Sequence, residues 1–343
     1  MSKRSLFWGQ AAGKLGEAVY YRAGGEQRTR TYVAKIKNPK TFAQMVNRLP
    51  MANLVSVYRA LRPWMQGAFE NKPSRRSDFN EFFSLNKNRL SYVQTKGDAA
   101  LGLFVPNGLK LSRGTISLFP SITFEQGSGN SATPIVQGLF PTPISTMELT
   151  GIGENTPMNG ERMYEIMTAY GNPLQLPSHF KVTMIVFAYG ADLPDGADGE
   201  AWTSGVFQFD CYKGSSQDVY PVGRLAPYLS AVLPYGNFSD GDGVIRGFRP
   251  IFTEPLSGIQ MACIVSYTQQ GKQYVTSAEV VPSDDAIRLA LPFRRDGDVW
   301  FAALNEYGYN PDTALSTAEN LSVPSSNEPE EPAPDDEKPA TGD

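Results

Sequence analysis

From Phe180 to Leu304 the apolar residues come in short runs: Phe180 to Tyr189, Val206 to Tyr212, Ile259 to Thr268, Tyr274 to Val281 and Val299 to Leu304. Only turn-rich loops separate them. Parallel strands need a crossover of a dozen or more residues between them, usually a helix, and no stretch between these runs reads as a helix of that length. The pattern therefore directs this part of the chain to a mainly antiparallel β-sandwich (Ig-like) arrangement.

The first hundred residues have a different texture. Ala18 to Arg22 and Gln27 to Ala34 are β-branched and aromatic stretches flanking Ala23-Gly24-Gly25-Glu26, the pattern of a β-hairpin. Arg28 and Arg30 alternate with Thr29 and Thr31, which places both arginines on one face of the second strand. Thr41-Phe42-Ala43-Gln44 has capping-box spacing and opens a helix that runs to about Glu70, with Pro50 as a kink or break. Its apolar set is Met45, Leu49, Leu54, Val57, Tyr58, Leu61, Met65 and Ala68, while Arg48, Arg59, Arg62 and Gln66 form a polar stripe. Ser77 caps a second helix that buries Phe79, Phe82, Phe83 and Leu90.

Beyond Asp98 short apolar runs at Leu109 to Ile116, Ile135 to Phe140 and Ile144 to Thr150 read as β, interrupted by one short helix at Glu161 to Tyr170. Ser325 to Asp343 is acidic, proline-rich and free of aromatic residues, the composition of a disordered acidic tail. The fold class is thus α+β and multidomain. The expected units are a basic hairpin and helical-hairpin module (1–98), a β-rich middle region (99–175), a β-sandwich domain (176–322) and the tail (323–343), in keeping with roughly 100–200 residues per domain.

Charge follows the same division. Up to Lys96 there are 18 Lys and Arg against 5 Asp and Glu; beyond it there are 13 against 30. A polarised chain calls for an oppositely charged partner at its basic end: nucleic acid, an acidic protein surface or other assembly subunits, or its own acidic part. Arg22, Arg28, Arg30, Arg48, Arg59, Arg62, Arg75 and Arg76 lie among Tyr20, Tyr21, Tyr32, Tyr58 and Trp64. Arginine beside aromatic side chains suits phosphate contact with base stacking, and equally a protein interface. The candidate partner-binding residues are Arg28, Arg30, Arg48, Arg59, Arg62, Trp64, Arg75 and Arg76.

No complete catalytic constellation is present. His179 is the only histidine, which removes most general-base, triad and zinc schemes. The stretch from Gly9 to Gly16 has three residues between the glycines and Leu15 after Lys14, where a P-loop has four and a Ser or Thr. Asp192, Asp195, Asp198 and Glu200 cluster in one loop and Asp240 and Asp242 in another; oxygen-ligated calcium is one reading and exposed hairpin tips the other. Cys211 and Cys263 both fall in strand-like runs, with a cross-strand disulfide and two buried thiols as the alternatives. No catalytic residue, metal or cofactor is expected. Leu6-Phe7-Trp8 is cut off by Gly9 to Lys14, too short for a secretory leader, and no run reaches the roughly 18 apolar residues of a membrane span. A cytoplasmic location is the expectation.

Gly13-Lys14-Leu15-Gly16, Tyr21-Arg22, the Arg-Thr-Arg-Thr strand, Asn38-Pro39-Lys40-Thr41 with Gln44 and Arg48, Leu61-Arg62-Pro63, Ser77-x-Phe79-Asn80-x-Phe82 and Leu109-x-Leu111-Ser112-Arg113-Gly114-Thr115 together resemble a family of Bacteroidota and their phages that has no assigned function. The likeness is densest over residues 9–115. It implies a phage or mobile-element context, and with it a non-enzymatic, virion-associated structural protein acting through protein assembly; sequence-nonspecific nucleic-acid binding by the basic module is the alternative, and a hydrolytic β-sandwich a third.

Overall fold

The computed structural model describes residues 13–23, 26–32, 40–116, 123–126, 132–135, 159–168, 172, 174–190, 201–234, 238–239, 244–245, 248–252, 257–282 and 284–309. It opens with three short antiparallel strands, β1 (Gly13–Leu15), β2 (Ala18–Ala23) and β3 (Glu26–Thr31), followed by helices α1 (Phe42–Leu61), α2 (Asp78–Asn86) and α3 (Lys96–Leu101). Strands β4 (Thr123–Gln126) and β5 (Ala132–Ile135) form a ladder, and α4 (Gly160–Thr168) precedes β6 (His179–Tyr189), β7 (Trp202–Tyr212) and β8 (Val222–Gly223). Then come β9 (Leu229–Pro234), β10 (Phe238–Ser239), β11 (Val244–Ile245), β12 (Phe248–Phe252), β13 (Ser257–Gln269), β14 (Lys272–Val275), β15 (Val281–Pro282), α5 (Asp284–Leu289) and α6 (Asp298–Glu306).

A six-stranded antiparallel sheet, ordered β14-β13-β6-β7-β8 with β15 also on β13, is the middle layer. From Val182 to Ala188 every residue of β6 is buried. Because successive side chains point to opposite faces, burial on both sides means that both faces are covered. Ile185, Phe187, Val206, Ala262 and Ile264 join one core with Leu49, Leu54, Val57 and Leu61 of α1, Phe82 of α2 and Trp300, Ala303 and Leu304 of α6. Val182, Met184, Val186, Phe207 and Phe209 join a second core with Met163 and Met167 of α4, Leu176, Leu225 and Leu229. The protein is α+β, and the first core runs without a break across the boundary expected at residue 98. Helices cover the first face, and α4 with residues near 176 and 225–229 packs on the second.

Residues 103–116 lie between α1, α2 and the sheet, and their buried backbone groups need partners. Asn53 supplies two: its Nδ2 donates to the Val105 carbonyl at 2.9 Å and its Oδ1 accepts from the Val105 N–H at 2.8 Å. Asn86 does the same for Lys110, at 2.8 Å each way. Phe104 exchanges two backbone hydrogen bonds with Trp202, and Leu109 and Leu111 bond to Val280 and Ala278. Gly114 passes so close to the Val275 carbonyl that a Cβ would not fit. The strand expected at Leu109 to Ile116 is therefore three isolated bridges, at Lys110, Arg113 and Ile116, because side chains take the places of a neighbouring strand. For the same reason Tyr274 to Val281 is strand only at its ends, in β14 and β15.

Other expectations are corrected. Val299 to Leu304 is not a strand but part of α6, whose buried Val299, Trp300, Ala303 and Leu304 follow helical spacing. α1 ends at Leu61, not near Glu70, since Pro63 has no N–H to continue the helix. It runs unbroken through Pro50, which is buried in its core-facing side, and Thr41 makes no side-chain cap bond. Ser77 does cap α2, accepting from the Asn80 N–H at 3.2 Å, but only Phe82 of the four residues expected to be buried there is fully so. The tail, most of Ile135 to Phe140, and Ile144 to Thr150 lie outside the described residues.

Cys211 and Cys263 are free, buried thiols. Cys211 is on β7 and Cys263 on β13, with β6 between them, so two strand spacings of about 4.8 Å separate the chains, beyond the roughly 7 Å Cα limit of a disulfide. Burial pushes the Cys263 thiol up to about 12 and raises that of Cys211 further, aided by Asp210. The expected outcome with a water-soluble disulfide reagent is no labelling of either thiol in the native chain and labelling of both in denaturant; rapid native labelling would contradict this packing. Asn53→Leu strands both backbone groups of Val105 and costs about 3 kcal/mol in urea unfolding. Asn47→Ala, on the exposed side of α1, costs less than about 0.5 kcal/mol.

Candidate partner-docking face

The register of the N-terminal strands sorts their side chains. Lys14 pairs with Val19, Val19 with Arg30, and Tyr21 with Arg28. Directly paired residues share a face, so Lys14, Val19, Tyr21, Arg28 and Arg30 stand together on one side. The Lys14 Nζ lies 3.4 Å from the centre of the Tyr32 ring, and the Arg30 guanidinium 5.9 Å from that of Tyr21. Arg28 reaches Glu26 at 3.7 Å, but both side chains are more than half exposed, so the pair contributes little. Tyr21 and Tyr32 are themselves exposed.

Among the described residues this small sheet has no core of its own. Five of the six β3 residues are exposed and the sixth is half-buried, so neither side of the strand is covered. Neither apolar cluster includes a residue before Met45. Among the described residues, the substantial contacts of β1–β3 are with one another.

The other candidate residues fall elsewhere. Arg48, Arg59 and Arg62 are exposed along one side of α1, a stripe about 21 Å long at 1.5 Å per residue. Trp64 is half-buried against the first core. Arg75 is exposed in the turn before α2. Arg76 is committed inward: its guanidinium donates to Glu81 at 2.9 Å, and Arg113 holds the other oxygen of that fully buried carboxylate at 2.8 Å. The structure thus groups Arg28 with Arg30 and aligns the α1 arginines, and no described contact joins the two sets.

Sequence reasoning missed the inward-facing acids. Glu81 reads as a first-turn helix carboxylate and Glu70 as the end of a helix; nothing in their spacing marks burial. The Glu70 side chain is 1% exposed. It accepts from the Thr115 N–H at 2.8 Å, from the Thr115 hydroxyl at 2.9 Å and from the Val275 N–H at 3.3 Å. Burial alone would raise its pKa; these donors, with the Lys272 ammonium, outweigh burial and hold it below its ordinary 4.5. Reasoning also missed Arg224, which shares a pocket with Arg59.

His179 Nε2 lies 2.7 Å from Asp210 Oδ1 at the exposed end where β6 begins and β7 finishes. Among the described residues no group of three or more His, Cys, Asp or Glu is placed to hold a metal ion, and no helix is long and apolar enough to cross a membrane. The acidic loops at Asp192 to Glu200 and at Asp240 and Asp242, and Gly9 to Ala12 of the glycine-rich stretch, lie outside the described residues. No protein-family model matches the chain, and neither a curated protein nor a solved structure is similar to it.

A carboxyl whose pKa is lowered by folding contributes stability above its unfolded pKa, and loses it as pH falls through the folded value. Acidification below about pH 5 therefore destabilises the wild-type chain more steeply than Glu70→Gln, which is less stable by about 2 kcal/mol at neutral pH. Parallel pH profiles of the two in chemical denaturation would contradict this role.

Proposed function

We propose that the chain is a non-enzymatic, phage-type structural or virion-associated protein that acts through protein–protein assembly, its β1–β3 face docking on an acidic subunit. The observation that carries this reading is β3, uncovered on both sides in a sheet that neither core reaches. A ribbon of a few strands without a covered apolar face is marginal in water, so a partner that covers it stabilises it. Lys14, Arg28, Arg30, Tyr21 and Tyr32 give the face the composition of an interface hot spot.

Charge of the opposite sign is present on the chain itself, which carries 30 Asp and Glu against 13 Lys and Arg beyond Lys96. A second copy is therefore a fitting subunit, and basic end against acidic part is a head-to-tail contact of the kind that builds rings or filaments. The resemblance over residues 9–115 supports a phage context. Base stacking on Tyr21 and Tyr32 is disfavoured, because Lys14 and Arg30 already occupy a face of each ring. The β-sandwich belongs to this reading where β5 lies beside β12 and β13.

Sedimentation velocity on the full-length chain tests the reading. Self-association that grows with concentration, weakens with salt and is lost in Arg28→Glu/Arg30→Glu at unchanged melting temperature is the expected result. A chain that stays monomeric throughout, yet binds mixed-sequence single-stranded DNA at about micromolar Kd in physiological salt, would put nucleic-acid binding in its place.

A further inference from the structure

We propose that a second site, between α1 and the β7–β8 edge, binds a small organic oxyanion: a carboxylate or phosphate group carried on one flat apolar ring. This goes beyond the assembly reading and does not depend on it. A pocket of about 310 Å³ opens there, with Ser56, Arg59 and Trp64 on one side and Thr203, Ser204 and Arg224 on the other. That volume is at the lower end for small-molecule sites, which favours a single ring.

The charge of the pocket is one-sided. Its lining includes two arginines and no Asp or Glu, and among the described residues neither Arg59 nor Arg224 forms an ion pair. Two guanidinium groups at one small cavity repel each other, and an anion between them reverses the sign of that interaction. Arginine forks suit the planar or tetrahedral oxygens of carboxylate and phosphate.

The hydroxyl groups point to the same class. Ser204 is 6% exposed and shares the face of β7 that Trp202 and Val206 turn toward α1, so its hydroxyl is held inside the wall. The Ser56 hydroxyl accepts from Gln94 Nε2 at 2.5 Å, which leaves its own proton for donation to a bound oxygen. Gly102, at a φ of 72°, gives the Arg224 guanidinium room, since a Cβ there would come within 3.2 Å of its central carbon. Trp64 and the buried Phe104 supply flat apolar wall.

Calorimetric titration of the full-length chain with phenyl phosphate and, separately, benzoate tests this, with benzyl alcohol as the neutral control. Arg59 and Arg224 are exposed, so Arg59→Gln and Arg224→Gln are compatible with folding, which circular dichroism checks. The expected result is saturable binding of one or both anions at about 1 mM or tighter, weakened about tenfold or more by each substitution, and none of the alcohol. The stronger anion tells phosphate from carboxylate. Absence of saturable binding of both anions up to about 10 mM, binding of the alcohol as tight as theirs, or binding that either variant retains would overturn the site.

Discussion

The segment from Leu103 to Ile116 is what the rest of the structure depends on, because it has α1 and α2 on one side and the sheet on the other. Many of its backbone groups bond to other backbone segments, and side chains meet the rest: Asn53 for Val105, Asn86 for Lys110 and Glu70 for Thr115. The groups of Val105, which is fully buried, could not be left unpaired without a cost of about 1–3 kcal/mol. Asn107 extends the chain of contacts, donating to the Ala286 carbonyl while its Oδ1 accepts from Gln260. The helices and the sheet are therefore fastened by polar groups set inside an apolar core, which fixes their register where packing alone would allow sliding.

This arrangement also decides where the charge of the basic module ends up. Of the five acidic residues up to Lys96, Glu70 and Glu81 are buried ties, and Asp78 is bonded to Lys72 at 2.5 Å. Glu17 and Glu26 are left on the exposed ribbon. The exposed surface of this region is consequently richer in cations than its composition, and arginines such as Arg59 and Arg62 face water.

Much of the fold was legible because its signals were local. β6, β7, β13, α4 and the Ser77 cap follow from alternation, β-branched content and cap chemistry within a few residues. α6 was misread because Val-Trp-Phe-Ala-Ala-Leu is a short apolar run whose strand and helix readings differ only by what it packs on. The segment after Leu103 could not be read as it is, since its partners, Asn53 and Asn86, look like ordinary polar positions of α1 and α2. The same limit applies to the sites: the Arg28 and Arg30 pairing lies in one strand and was readable, whereas the meeting of Arg59 with Arg224, or of Arg76 with a buried Glu81, is set by tertiary packing.

The first apolar core draws on Met45 to Leu111 and again on Ile185 to Leu304, so it is built from both ends of the described chain. Hydrogen bonds such as Arg89 to Glu279 and Lys96 to Glu306 span 190 and 210 positions. During synthesis the apolar side of α1 thus emerges long before the residues that cover it. The nascent basic module waits, with its core face open, until the residues up to Leu304 have left the ribosome, and the long loops that must then close make for slow folding.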